Sequence, residues 1–249
     1  MALPGVHAME LAGLKAWPAL HTERDGSWVL RAAGGYTKRA NSAQCLNPAD
    51  DDNVLQRLAR VRDWFDGRAL PSVFRVTPLC GTRLLEALGQ GWTAFDHSHT
   101  FGMSLSGRAF AADPSAELRP ATDEAWLEAQ RVLQGYDAVQ LAGLRALIGG
   151  IEVPARGVTL RGTAGEPLAS LVVSVADGIA YVANVITSPA HRRQRLGTRL
   201  VATALRWAMG EGAHTAALNV QADNAAAQAL YRSIGYAHLY DYHYCRPRP

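Results

Sequence analysis

The chain has 249 residues, 48% hydrophobic and 19% charged, a balance that supplies a buried core and excludes a disordered polypeptide. Lysine plus arginine total 25 against 22 aspartate plus glutamate, and a net charge of +3 is too small to mark the molecule as a nucleic-acid binder, so any basic function has to be local. Cys45, Cys80 and Cys245 are odd in number and widely spaced, with no CxxC and no histidines at metal-ligand spacing, which argues against a disulfide framework and against a zinc site.

The opening segment "MALPGVHAMELAGLKAWPAL" lacks the basic lead and unbroken apolar run of a signal peptide, and nowhere do about 18 apolar residues run together. The expectation is a cytoplasmic protein with no membrane partner. "SWVLRAAGGYTKRANSAQ" reads as two strands around Gly34-Gly35. In "DDNVLQRLARVRDWF", Val54, Leu58, Val61 and Phe65 recur at helical spacing behind a run of aspartates. "SVFRVTP" follows as a strand, "GTRLLEALGQGW" as a helix with a glycine stop, and "SHTFGMSLSG" as a strand, so the first half is β-β-α-β-α-β.

Ala, Pro and Ser gather without periodicity near "RAFAADPSAE", which places a domain boundary near residue 112 and divides the chain into 1–112 and 113–249. In the second half "ELRPATD" is a strand, "DEAWLEAQRVLQGY" and "DAVQLAGLRALIGG" are helices, and "RGVTLRGTAGEPLASLVVSVADGIAYVANVIT" is three antiparallel strands. "RRQRLGTRLVATALRWAMGEG" is a helix with Leu196, Leu200, Ala204 and Ala208 along one stripe. A buried strand "TAALNVQ", a helix "NAAAQALYRSIGY" and an alternating strand "HLYDYHYCR" complete the chain. The halves form a weak internal repeat, "RANS", "SVFRVTP" and "LGQGW" answering "NVIT", "TAALNVQ" and "SIGY". Only the second copy carries an arginine-glycine loop.

That loop, "HRRQRLGTRL", runs from a strand into an amphipathic helix. A helix start carries unpaired N–H groups and roughly half a positive charge, and flanking arginines add charge-assisted hydrogen bonds, so the loop suits a pyrophosphate. A solvated helix face and nucleic-acid contact are the competing readings.

"VITSPAHRRQRLGTRL" followed by "LNVQADNAAAQALYRSIGY" resembles the GNAT superfamily of acyl-CoA N-acyltransferases, with Pro189, Arg192, Gly197, Asn224, Leu230, Tyr231, Gly235 and Tyr236 in register with its motifs. The resemblance covers about 118–245 well, and the first half as a degenerate lobe of a two-lobed bacterial type. It implies an α/β (α+β) GNAT fold with two GNAT-like lobes, mixed central sheets flanked by helices. It also implies acetyl-CoA as acyl donor, no metal, and direct attack by the primary amine of a small molecule, with an amino acid among the candidates. The alternative is a non-catalytic CoA-binding sensor or interaction module. No nucleic-acid partner is expected, and a monomer or a homodimer.

The family pattern assigns cofactor contact to Val185, Ile186 and Thr187 on the strand, to Arg192, Arg193, Gln194, Arg195, Leu196, Gly197 and Thr198 in the loop, and to Asn224, Ala227 and Tyr231 on the next helix. Arg195 stands where the pattern has its first glycine, which implies either an unstrained φ or a side chain turned outward. Gly197 is expected to let phosphate approach the backbone. Asn224 also reads as a helix N-cap. Tyr231 is the expected general acid for the departing thiolate, with core packing as its structural alternative. The strand region "GIAYVANV" has no carboxylate to serve as base, leaving Tyr181 and Asn184 as its polar members and favouring an acceptor amine of low basicity or a water relay. Arg39 and Asn41 of "RANS", and Tyr242 of "YDYHYC", are the acceptor-binding candidates. His243, one residue on, is a weaker catalytic candidate, since alternation lets only one face of the strand point inward and a satisfied or exposed histidine is the commoner case.

Overall fold

The computed structural model describes residues 2–191 and 193–248. The first half contains α1 (Val6–Ala16), β1 (His21–Asp25), β2 (Trp28–Ala32), β3 (Ala43–Cys45), α2 (Val54–Asp66), β4 (Phe74–Val76), α3 (Thr82–Gly91) and β5 (Trp92–Ser104). The second contains β6 (Ala116–Pro120), α4 (Glu124–Gln134), α5 (Ala138–Gly149), β7 (Ala155–Arg161), β8 (Pro167–Ala176) and β9 (Ile179–Thr187). It continues with α6 (Leu196–Gly210), β10 (Thr215–Gln221), α7 (Ala225–Ile234) and β11 (Ala237–Pro247).

Two elements exceed the sequence expectation. Strand β1 pairs with β2 through the turn at Gly26, ahead of the hairpin read around Gly34-Gly35. Helix α1 buries Met9, Ala12 and Ala16 against Ile179 and Tyr181 of the second half. Its Gly13 is needed there, since a Cβ would stand 3.3 Å from the Tyr181 ring. The helix boundaries elsewhere follow local chemistry. Asp123 caps α4 by accepting from the amides of Ala125 and Trp126, and Gly135 closes it at φ +70°. Asp137 and Gln140 form a capping box on α5.

Where two central sheets are expected, all eleven strands join in one, in the order β1-β2-β3-β4-β11-β5-β10-β9-β8-β7-β6. The last strand of the chain, β11, lies between β4 and β5, and β5 lies between β11 and β10. Each half therefore lends a strand to the other. Phe101 and Met103 of β5, with Leu105 just after it, are buried in the core of the second half, each contributing on the order of 2 kcal/mol by burial. Cys245 of β11 is buried in the core of the first half. All three cysteines are buried and free. Among the described residues no helix is long and apolar enough to cross a membrane.

Candidate active site

Strand β9 controls the site by parting from β10. The two run parallel only as far as the pair Val182 and Leu218. Two residues later Asn184 adopts φ +51°, and the β8–β9 register slips between Ser170 and Val172. Asparagine tolerates this left-handed conformation better than most residues, and a bulge bends its strand. Beyond it, the edge of β9 that faces β10 has no strand partner. Its backbone groups are available to an extended, amide-bearing ligand in the way an added strand would use them.

A cavity of about 590 Å³ fills this opening. One wall is Val182, Ala183, Asn184 and Val185 of β9; the other is Asn219, Val220 and Gln221 of β10 with Asn224, Ala227 and Tyr231 at α7. The first half contributes Thr37, Lys38, Arg39, Asp96 and Ser98, and β11 contributes Tyr242 and Tyr244.

Of the residues expected from sequence, Asn184, Val185, Asn224, Ala227, Tyr231, Arg39 and Tyr242 line this one space. Asn224 caps α7, its Oδ1 accepting from the Ala227 amide at 3.0 Å. Tyr231 is buried, its ring edge-on to Tyr236 at 6.0 Å, and burial alone pushes its hydroxyl up to about 12. Arg39 lies over the Trp17 ring at 4.6 Å. Tyr242 lies beneath Arg75, whose guanidinium is 4.0 Å from the ring centre.

Two expected residues lie elsewhere. Asn41 is buried and fully employed in the backbone, its Oδ1 accepting from Ala33 and Gly35 and its Nδ2 donating to the carbonyls of Tyr36 and Thr37. Tyr181 faces α1 beneath the cavity floor and donates to Asn219 Oδ1 at 3.2 Å. Burial raises it to about 12. His243 stacks on His97 with ring centres 5.1 Å apart, on the face of β11 away from Tyr242 and Tyr244.

Farther along β9 and α7 a second cavity of about 310 Å³ is lined by Thr187, His191, Arg193, Arg195, Leu196, Gly197, Thr198 and Leu230. Gln194 is exposed beside it and Ile186 is half-buried on β9, while Arg192 lies outside the described residues. The first bond of α6 runs from the Arg199 amide to the Arg195 carbonyl, leaving the amides of Leu196, Gly197 and Thr198 unbonded within the helix at the mouth of this cavity. Arg195 is the N-cap at φ +54°, ψ 24°, with its side chain exposed. The unstrained φ is therefore corrected: the position is left-handed, which is why a glycine would suit it. Gly197 has another reason to be small. A Cβ there would come within 2.6 Å of Leu230 Cδ2, so the bare Cα lets α7 pack against the start of α6.

Sequence reasoning missed Lys38 and Asp96. Asp96 adopts φ +52° where two residues of β5 face His243 alone on β11, and this bulge turns its carboxylate into the cavity. Lys38 Nζ meets Asp96 Oδ2 at 2.8 Å, and Gln221 Nε2 donates to Asp96 Oδ1 at 3.1 Å. The exchange of β5 and β11 brings a first-half carboxylate to the second half's opening, and the local sequence "AFDHSH" holds no signal for it.

A family model described as "Probable histone acetyltransferase Rv0428c C-terminal" matches residues 5–245. A Bacillus subtilis (strain 168) protein, "Uncharacterized N-acetyltransferase YobR", is 25% identical over 249 residues, covering 96% of this chain and 97% of its own. The "GCN5-related N-acetyltransferase from Kribbella flavida" superposes with a TM-score of 0.72 at 19% identity, covering 98% of this chain and 95% of that one. The "Tandem GNAT protein from the clavulanic acid biosynthesis pathway (without AcCoA)" superposes with a TM-score of 0.67 at 14% identity, covering 98% and 88%. The chain belongs to the Rv0428c C-terminal acetyltransferase family, within the GNAT superfamily.

Proposed function

We propose that the enzyme moves an acetyl group from acetyl-CoA to the primary amine of a small acceptor that also carries a carboxylate, a molecule of the amino-acid class, by direct transfer. The observation that carries this reading is the charge at the acceptor end of the larger cavity, where Lys38 and Arg39 stand beside Asp96. A carboxylate attracts and orients an ammonium group, and Lys and Arg do the same for a carboxylate.

The residues present fit coenzyme A. The amides at the start of α6 that find no partner within the helix, with Arg193 and Arg195 beside them, suit a pyrophosphate. The unpaired edge of β9 from Val185 to Thr187 suits a peptide-like arm, and Asn224 and Ala227 face it from α7. When bound, acetyl-CoA supplies a thioester-activated acetyl group. Tyr231 Oη holds a proton that burial keeps in place, ready for the sulfur that leaves. Asp96 orients the incoming ammonium, whose proton leaves to water before the free amine attacks the thioester carbonyl. On this reading residues 1–112 are a degenerate lobe that supplies acceptor-side groups, and residues 113–249 hold the donor.

Thiol release with acetyl-CoA and a panel of α-amino acids, polyamines and lysine-containing peptides tests the proposal. Turnover is expected to be fastest with α-amino acids. Faster turnover with polyamines, which lack a carboxylate, would overturn the acceptor class.

A further inference from the structure

Strands β5 and β11 carry four of the chain's eight histidines, His97, His99, His238 and His243. His99 shares a face of β5 with Phe101, which packs with Tyr231 of α7, and His99, His238 and Asp241 are not among the residues lining the cavity. On β11, His238 and Asp241 are three residues apart, a spacing that sends side chains to opposite faces of a regular strand. A bulge brings them to one face: His238 pairs with Phe101, Tyr240 with Thr100, and Leu239 is the extra residue. Gly102 accommodates it, since a Cβ there would come within 2.5 Å of Leu239 Cδ1.

The bulge and the strand pairing bring three ligating groups together. His99 Nδ1 and His238 Nε2 each stand 2.6 Å from the same oxygen, Asp241 Oδ1, and the ligating atoms all lie within 4.8 Å of one another. We propose that His99, His238 and Asp241 bind one divalent transition-metal ion of the zinc class, clipping the exchanged strands of the two halves together. Around a tetrahedral zinc the ligand atoms sit about 3.3 Å apart, so the carboxylate retreats by less than about 1 Å while the two ring nitrogens, now within 4.8 Å, settle to the same separation. The Asp241 side chain is 71% exposed and free to do so. Two imidazoles and one carboxylate suit zinc, cobalt, nickel or copper rather than magnesium or calcium, and exposure leaves further positions to water. Bound to the ion, each imidazole offers a lone pair from the ring nitrogen nearest Asp241 and carries its single N–H on the other ring nitrogen. The site is independent of the acetyl-transfer reading. Its histidines stand 139 residues apart in the chain, beyond any motif spacing.

The test uses chelator-treated, untagged full-length protein with Zn2+ in calorimetry and Co2+ in visible absorption. One ion per chain is expected, with d–d bands of nitrogen-ligated cobalt and no competition from millimolar Ca2+ or Mg2+. Zn2+ at a hundred times its Kd is expected to raise Tm by about 5 to 10 °C. His238→Ala and His99→Ala are expected to weaken binding more than tenfold, and His97→Ala to leave it unchanged. In wild type, Zn2+ is expected to protect His99 and His238 from diethyl pyrocarbonate, mapped by mass spectrometry, a readout that needs no variant to fold. Absence of binding at 1 mM Zn2+, undiminished binding in the His99→Ala/His238→Ala double variant, or loss of binding in His97→Ala would overturn the proposal.

Discussion

Gln221, on a strand of the second half, donates its side-chain amide to Asp96 Oδ1, on a strand of the first half, at 3.1 Å. The contact joins the paired strands β10 and β5 beside the opening between β9 and β10, and with Lys38 at 2.8 Å it fixes the one carboxylate among the described residues lining the larger cavity. Asp96→Asn keeps the size of the side chain and removes its charge. The expected result is a rise of at least tenfold in the acceptor KM or a matching fall in kcat/KM, with the acetyl-CoA KM unchanged. Steady-state kinetics with each substrate varied in turn reads both, and an unchanged acceptor kcat/KM would remove Asp96 from the site.

Tyr231 bears on the pH profile. Burial holds its hydroxyl protonated up to about pH 12, so as a proton donor it does not limit the rate on the alkaline side of the working range. The rate is expected to rise with pH as the acceptor amine loses its proton and to stay level to pH 10. A fall in kcat between pH 8 and 10 would identify a proton donor other than Tyr231.

At the loop, Arg195→Gly relieves a left-handed non-glycine residue. The relief, less glycine's greater freedom in the unfolded chain, is about 0.5 to 1 kcal/mol of added stability. Removing the cation from the mouth of the pyrophosphate cavity is expected to raise the acetyl-CoA KM severalfold. Denaturant unfolding and initial rates measure the two effects, and a less stable variant would contradict the strain argument.

Far from the site, Asp50 is held down to about 2, first by its hydrogen bonds from Arg57 and then by those from Ser27. Because the folded value lies below the unfolded one, its stabilisation is present above about pH 4 and is lost as the pH falls towards 2. Asp50→Asn is expected to cost on the order of 2 kcal/mol at pH 7 and progressively less in acid. A difference that stays constant from pH 7 to pH 2.5 would show that charge is not the cause.

The donor side of the site was legible because it is local in sequence. A strand, a loop and a helix start at 185–198, and a cap and helix at 224–231, each carry their own periodicity and capping signals. The acceptor side was not. Asp96 reaches the cavity through strand exchange and a bulge and Lys38 from a short turn between β2 and β3, and neither leaves a trace in a short window. Tyr181 was misjudged for the same reason. Its strand was correctly read, but the face it presents is set by α1, a helix whose stripe of Met9, Ala12 and Ala16 closes on the second half. Asn41 had the right loop and a different task, since all its polar atoms serve the turn behind Arg39.

The most direct test is thiol release by wild type and Tyr231→Phe with acetyl-CoA and the best acceptor of the panel. The expected result is turnover in wild type and a 10²- to 10⁴-fold loss of kcat in the variant, with KM for both substrates unchanged. Tight binding of coenzyme A without turnover on any amine, or a variant as fast as wild type, would contradict acetyl transfer at this cavity.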